Sequence, residues 1–201
     1  MHFSSSDITS ATAYKLLVST ILPRPIAFVT TISQSGIPNA APFSFFNAMG
    51  SNPPVVALGF EPKQDGGNKD TATNILETKE FVVNMVDEQL SVQMNQCAAD
   101  LASDIDELQL AKLDTLPSIE VAPPRISASP VSFECQLYNN MELEGGGHII
   151  IGKVLHFHLR DNVVTSLDPL RISLEEIAPI SRLSGPHYGR VNDIFKIIRP
   201  K

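Results

Sequence analysis

The chain has 201 residues, 43% of them hydrophobic and 18% charged, with 22 Asp plus Glu against 15 Lys plus Arg for a net charge of −7. Such a length suits one domain that buries roughly 70% of the surface its unfolded chain exposes, and the composition excludes wholesale disorder. The acidic balance argues against nucleic acid as a partner, although one small phosphate needs only a cation or two and some backbone donors.

No internal repeat, charge block or low-complexity linker divides the sequence, so residues 1–201 read as one domain. The segment Met1-His2-Phe3-Ser4-Ser5-Ser6-Asp7 lacks a basic flank followed by an apolar stretch, and no secretory leader is expected. A helix is expected over Thr12–Ser19, offering Leu16 and Leu17 for burial, and Pro23 and Pro25 end it. Ile26–Ile32 is β-branched and aromatic, Ser35-Gly36 supplies a turn, and an extended run covers Asn39–Asn47, so these two runs read as a hairpin. Val55–Phe60 is a third strand between Pro53-Pro54 and Pro62, followed by the loop Asp65-Gly66-Gly67. Ile75 and Leu76 mark two turns of helix over Thr71–Thr78, and Phe81–Val86 returns to strand. Further helices are expected over Glu88–Ala98 and Asp106–Leu113, then long strands over Val131–Tyr138 and His148–Leu159.

Many strands, few helices and no repeating strand-helix-strand unit predict a mainly β fold, a mostly antiparallel barrel with helical insertions. The longest apolar run, His148–Leu159, is broken by Lys153 and two histidines, so no membrane span and no membrane partner are expected. Cys97 and Cys135 are the only cysteines and lie far apart, a usage that suits a reducing cytoplasm and buried free thiols while leaving one disulfide open.

Catalytic signatures are scarce. No Gly-x-Ser-x-Gly elbow or Walker loop occurs, and Gly145-Gly146-Gly147 precedes a strand, the wrong order for a dinucleotide fold. His156 and His158 would share one face of a strand, as two metal ligands do, but nothing nearby supplies a third, so hydrogen-bonded or solvated imidazoles are the default and no metal is expected. His148 and His187 each stand at the edge of a glycine-containing turn. There His148 either polarises a substrate as a catalytic group or merely ends its strand.

The absence of acid, base and nucleophile signatures fits a cofactor enzyme, in which the protein supplies position and field. Asn68-Lys69-Asp70-Thr71 offers the anchor: a helix opening at Asp70 or Thr71 leaves its first N–H groups unpaired beside a lysine and a hydroxyl, which suits a phosphate. Ser44-Phe45-Phe46-Asn47, if extended, presents backbone groups to the edge of a planar polar ring. Together these read as a cradle for a flavin, against the plainer reading of a capped helix and a buried strand. Arg24 contributes to either part or is an ordinary surface cation.

The order of motifs resembles the flavin reductase-like family, whose fold is an FMN-binding antiparallel split β-barrel. The resemblance is carried by PRPIAFVTT from Pro23, GIPNAAPFSFFN from Gly36, NPPVVALGF from Asn52 and NKDTATNI from Asn68. It continues through EFVVNMV from Glu80, PPRISASPVSFEC from Pro123, HIIIGKV from His148 and PISRLSGPHY from Pro179. It implies FMN with its phosphate on Asn68, Lys69, Asp70 and Thr71 and its ring along Ser44, Phe45, Phe46 and Asn47. It further implies that Arg24 and Pro25 stand on the family's Pro-Arg-Pro strand, with Thr30 and Thr31 near the ribityl chain or ring. His148 and the tail residues Arg182, His187 and Tyr188 would form the rim where NAD(P)H or another small-molecule electron donor approaches.

Also implied are a homodimer and electron delivery to free flavin, a flavin-dependent partner enzyme or oxygen. Lys153 stands where the family often has glutamate, and Phe28 where tryptophan is frequent. Two alternatives share the fold: an FMN electron carrier without a nicotinamide site, and a cofactor-free interaction module, which Lys69 and Thr71 argue against.

Overall fold

A computed structural model describes residues 1–200. After a 3-10 turn at Ser5–Asp7 come α1 (Ser10–Thr20), β1 (Arg24–Pro25), β2 (Ala27–Ile32), β3 (Pro38–Phe43), β4 (Phe46–Ser51) and β5 (Pro54–Phe60). The chain continues through α2 (Asp70–Thr78), β6 (Glu80–Met85), α3 (Ser91–Gln96), α4 (Glu107–Leu110), β7 (Thr115–Leu116) and β8 (Arg125–Ile126). Two long strands, β9 (Val131–Glu142) and β10 (His148–Leu159), precede β11 (Val164–Leu167), β12 (Leu170–Ile172), α5 (Leu174–Ile177), β13 (Ile180–Arg182) and β14 (Tyr188–Arg190).

The main sheet is antiparallel and seven-stranded, in the order β3-β2-β6-β9-β10-β5-β4. Strands β3 and β4 are consecutive in the chain yet stand at opposite ends of that order. The sheet therefore curls until Ser44-Phe45 bridges its two ends, where the Gly59 N–H donates to the Phe45 carbonyl at 2.7 Å. This is a split barrel. The extended run expected over Asn39–Asn47 is thus two strands with a corner between them, because one straight strand cannot serve both ends of a closing sheet.

Strand β2 explains why its sequence does not alternate. Ala27 and Val29 face one apolar cluster with Leu58, Phe81, Val83 and Ile150, whereas Ile26 and Phe28 face a second with Leu90, Met94, Leu108 and Ile126. The strand is covered on both sides, by the barrel interior and by the α3–α4 insertion, so both faces are apolar. Those two helices are shorter than the periodicity predicts. Asp106 caps α4 by accepting from the amides of Leu108 (2.9 Å) and Gln109 (3.1 Å), and Lys112 at φ 52° ends it.

Helix α1 runs somewhat longer than expected and differs in packing. It buries no residue, and Leu17 is exposed rather than packed, because the helix is held by its end and not by an apolar face. Arg24 donates to the carbonyls of Val18 (2.6 Å) and Ile21 (3.0 Å), which a helix C-terminus otherwise leaves unpaired. Cys97 and Cys135 are buried and free, so the disulfide left open in the sequence is not formed. Burial pushes the Cys97 thiol up to about 12 and raises that of Cys135 as well, which leaves both unreactive. Among the described residues no helix is long and apolar enough to cross a membrane.

Strand β10 bulges between Ile151 and Gly152, where it passes over the buried ring of Phe81. A Cβ at Gly152 would lie 2.3 Å from Phe81 Cζ. Gly152→Ala is expected to destabilise the fold by about 1–3 kcal/mol through overpacking, read as a lower urea midpoint. An unchanged midpoint would show that the ring has room to move.

Candidate functional site

Two buried amide groups set where α2 begins. Asn39 Nδ2 on β3 donates to the Thr71 hydroxyl at 2.9 Å, and Asn74 Nδ2 on α2 donates to the Thr31 hydroxyl at 3.0 Å. The helix start so fixed opens onto a cavity of about 420 Å³ lined by Asn39, Pro42, Phe43, Lys63, Lys69, Asp70, Thr71, Asp100 and Glu107, among others. A second hollow of about 210 Å³ shares Pro42, Phe43 and Lys69 with it and runs on past Tyr14, Ser44 and Phe45. The two form one groove, polar at the helix end and aromatic at the other.

At the polar end Lys69 is the N-cap and makes no side-chain cap, so the first-turn amides of α2 point at the groove without one. The Thr71 hydroxyl, accepting from Asn39, keeps its own hydrogen to donate. At the other end the rings of Phe43 and Phe60 lie 4.5 Å apart and those of Tyr14 and Phe45 6.0 Å apart. Gly59 permits this, since a Cβ there would meet Phe45 Cβ at 3.0 Å. An anion at the helix start and a flat ring along Phe43-Ser44-Phe45 both fit the residues present, which is the shape and charge of a flavin mononucleotide.

The groove is acidic on balance: Lys63 and Lys69 face Asp65, Asp70, Asp100 and Glu107. Lys63 pairs with Asp70 at 2.7 Å and Lys69 with Asp100 at 2.8 Å. Hydrogen bonding and attraction from Lys69 hold the Asp100 carboxyl below its usual range. Glu107 is buried and accepts from the Ala40 amide at 3.1 Å. Burial pushes its carboxyl up, with Asp70 and Asp106 adding to the shift against the pull of that amide.

Of the residues the sequence singles out, Ser44, Phe45, Lys69, Asp70 and Thr71 line the groove. Others are engaged elsewhere. Thr30 and Thr31 are sealed in the barrel wall, Thr30 donating to the Pro124 carbonyl at 2.5 Å, so neither reaches the groove. Arg24 is no surface cation: besides the α1 carbonyls it donates to Ser44 Oγ (3.3 Å) and the Leu183 carbonyl (3.2 Å). Pro25 sits in the β1–β13 pair, and Phe46 and Asn47 lie on β4, with Asn47 Oδ1 accepting from the Ala48 amide at 2.8 Å.

Asn68 turns away from the groove. Its Oδ1 lies 3.0 Å from His148 Nε2, and His148 Nδ1 lies 3.1 Å from Asn140 Oδ1, so both ring nitrogens are committed to carboxamides. In this arrangement His148 holds the loop before α2 rather than facing a cleft. Arg182, His187 and Tyr188 form the β13–β14 hairpin outside the groove, with the Arg182 guanidinium 4.7 Å over the Tyr188 ring and the Tyr188 hydroxyl donating to Asn95 at 3.1 Å.

Sequence reasoning missed Asn39, Lys63, Asp100 and Glu107, which line the groove from four separate segments and carry no shared motif. Lys63 alone had a local signal, standing just before the Asp65-Gly66-Gly67 turn that folds it back beside Asp70.

Residues 18–171 match the family described as Flavin reductase like domain. The chain is 39% identical to the uncharacterized protein YwrF of Bacillus subtilis over 203 residues, covering 98% of each. Among solved structures it resembles nitrilotriacetate monooxygenase component B from Bacillus cereus, with TM-score 0.92, 34% identity and 98% of each chain covered. It also resembles the 2-nitrobenzoate 2-nitroreductase NbaA of Pseudomonas fluorescens, with TM-score 0.89, 33% identity, and 100% of this chain and 96% of that one covered.

On β10 His156 and His158 stack with ring centroids 4.5 Å apart, and His158 Nε2 meets the buried Glu134 at 2.5 Å. Glu134 also accepts the amides of Ile119 (2.8 Å) and Glu120 (2.6 Å). Burial alone raises its carboxyl, but the two amides and His158 outweigh that and hold it below the usual glutamate range. A depressed folded pKa means that its contribution is present above the unfolded value of about 4.3 and is lost as pH falls through the lower folded value. Exchange protection of the Ile119 and Glu120 amides should therefore collapse in that acid window, and Glu134→Gln should abolish the pH step. Protection that ignores pH in the unmodified protein would contradict this.

Proposed function

The chain belongs to the flavin reductase like family, and from that premise we propose that it is an FMN-dependent oxidoreductase. It takes hydride from NAD(P)H and passes electrons to free flavin, a partner enzyme or oxygen. The observation that carries this reading is the groove itself: an uncapped helix start beside Lys69 and Thr71, continuous with an aromatic trough at Phe43-Ser44-Phe45. FMN, when bound, supplies the redox chemistry, accepting hydride and releasing electrons.

The protein's own residues bind and orient. Lys69 and the first-turn amides hold the phosphate, and Thr71 donates its free hydrogen to a phosphate oxygen. Phe43 and Phe45 exclude water along the ring. Arg24 acts at one remove, fixing the Ser44 hydroxyl. His148 likewise positions the Asn68 loop that leads into α2. The hairpin bearing Arg182, His187 and Tyr188 is joined to β1 and so to Arg24, which supports its part in the rim where the nicotinamide approaches.

Likeness to a monooxygenase component supports delivery to a partner enzyme, and likeness to a nitroreductase supports a small organic acceptor. Association into a homodimer is supported by β4, an edge strand of the main sheet whose Met49 is 60% exposed. Buried free cysteines support a reducing, cytoplasmic setting.

Two measurements test the proposal. Purified protein loaded with FMN should lose its visible flavin absorbance when NADH or NADPH is added without oxygen. A yellow protein inert to both nucleotides would favour the electron carrier, and one that takes up no FMN the interaction module. Lys69→Ala should weaken FMN binding by about 1.5–3 kcal/mol, the range for hydrogen bonds to charged groups, and leave riboflavin binding unchanged. Unchanged FMN affinity would place the phosphate elsewhere.

A further inference from the structure

We propose that Asp100 is an internal competitor for the phosphate, a carboxylate that occupies the Lys69 ammonium and must be displaced when the cofactor docks. The inference rests on the FMN reading above and goes beyond it, by assigning to the turn between α3 and α4 control over how tightly and how selectively the groove holds an anion.

The geometry of that turn is the argument. Its root is fixed: Cys97 is buried, and its thiol donates to the Glu107 carbonyl at 3.7 Å. Its tip is free. The Asp100 side chain is 80% exposed, and among the described residues its one hydrogen-bonding partner is Lys69 Nζ at 2.8 Å, whose own side chain is 34% exposed. Asp100 can therefore swing into solvent without disturbing the core.

Among the described residues no spare cation lines the groove, because Lys63 is already paired with Asp70. An arriving anion must compete for an ammonium that is already neutralised. A monoanion exchanges one single charge for another and gains little. A phosphate monoester carries close to two negative charges at neutral pH and also meets the first-turn amides, which Asp100 does not reach by any hydrogen bond. The pair thus disfavours simple monoanions relative to a phosphate monoester and lowers affinity for FMN. Exposed ion pairs are weak and screened by salt, so the effect is modest and greatest at low ionic strength.

Fluorescence titration of the full chain with FMN and with riboflavin tests this. Asp100→Asn is expected to tighten FMN binding roughly two- to fivefold, the range of an exposed ion pair, with riboflavin unaffected and the gain reduced at high salt. Asp100→Ala should reproduce the gain, and neither substitution should have any effect in a Lys69→Ala background. FMN affinity that is unchanged or weakened by both substitutions, or tightening shared equally by riboflavin, overturns the inference while leaving the FMN reading intact. If the unmodified protein binds no FMN, the FMN reading fails and the inference falls with it.

Discussion

Asn39 reaches from β3 to the Thr71 hydroxyl while Asn74 reaches back from α2 to the Thr31 hydroxyl, and these two buried bonds tie the helix to the barrel wall at its first and second turns. A buried carboxamide without its partner costs about 1–3 kcal/mol, so the helix has little freedom to slide. Among the described residues every buried side-chain polar atom has a partner. That constraint is what fixes the helix N-terminus against the groove, where we propose the phosphate binds. Slippage by even one residue would carry Lys69 and Thr71 off the groove.

The rest of the site follows from the closure of the barrel. Because β3 and β4 serve opposite ends of one sheet, the chain must turn at Ser44-Phe45, and it does so directly beside the helix start. Arg24 then locks the corner from behind, joining α1, Ser44 and Leu183 through one guanidinium. Burial is the main cause that draws this arginine below its ordinary range, and carbonyl partners compensate a charge placed there. Charge inside the groove is acidic on balance rather than positive, so the proposed recognition of a phosphate depends on geometry and on displacement of existing partners more than on net attraction.

Much of this was legible in the sequence where local chemistry decides the outcome. The β10 boundaries fall where Gly147 and Arg160 frame the apolar run, and α2 opens at Asp70 as its polar start requires. Elements whose form depends on distant partners were not legible. The Asn39–Asn47 run carries no signal for its corner, because the break is imposed by sheet closure. Leu17 looks like a core residue until Arg24 is seen holding α1 by its end. In the site, the Lys69-Asp70-Thr71 cluster and Ser44-Phe45 could be read, but Thr30 and Thr31 could not be told from groove residues. A buried hydroxyl and a ligand-facing one look alike in a strand, and only the Pro124 carbonyl and Asn74 distinguish them. Asp100 and Glu107 had no motif at all, since the turn between two short helices brings in the first and the start of α4 the second.

The central claim is that a phosphate docks at the start of α2 beside Lys69, with the ring along Phe43-Ser44-Phe45. A crystal structure of the protein with FMN tests it most directly. The account predicts phosphate oxygens within hydrogen-bonding distance of Lys69 Nζ, the Thr71 hydroxyl and the first-turn amides, with Asp100 turned away. A phosphate bound elsewhere, with the Lys69–Asp100 pair intact, would contradict it.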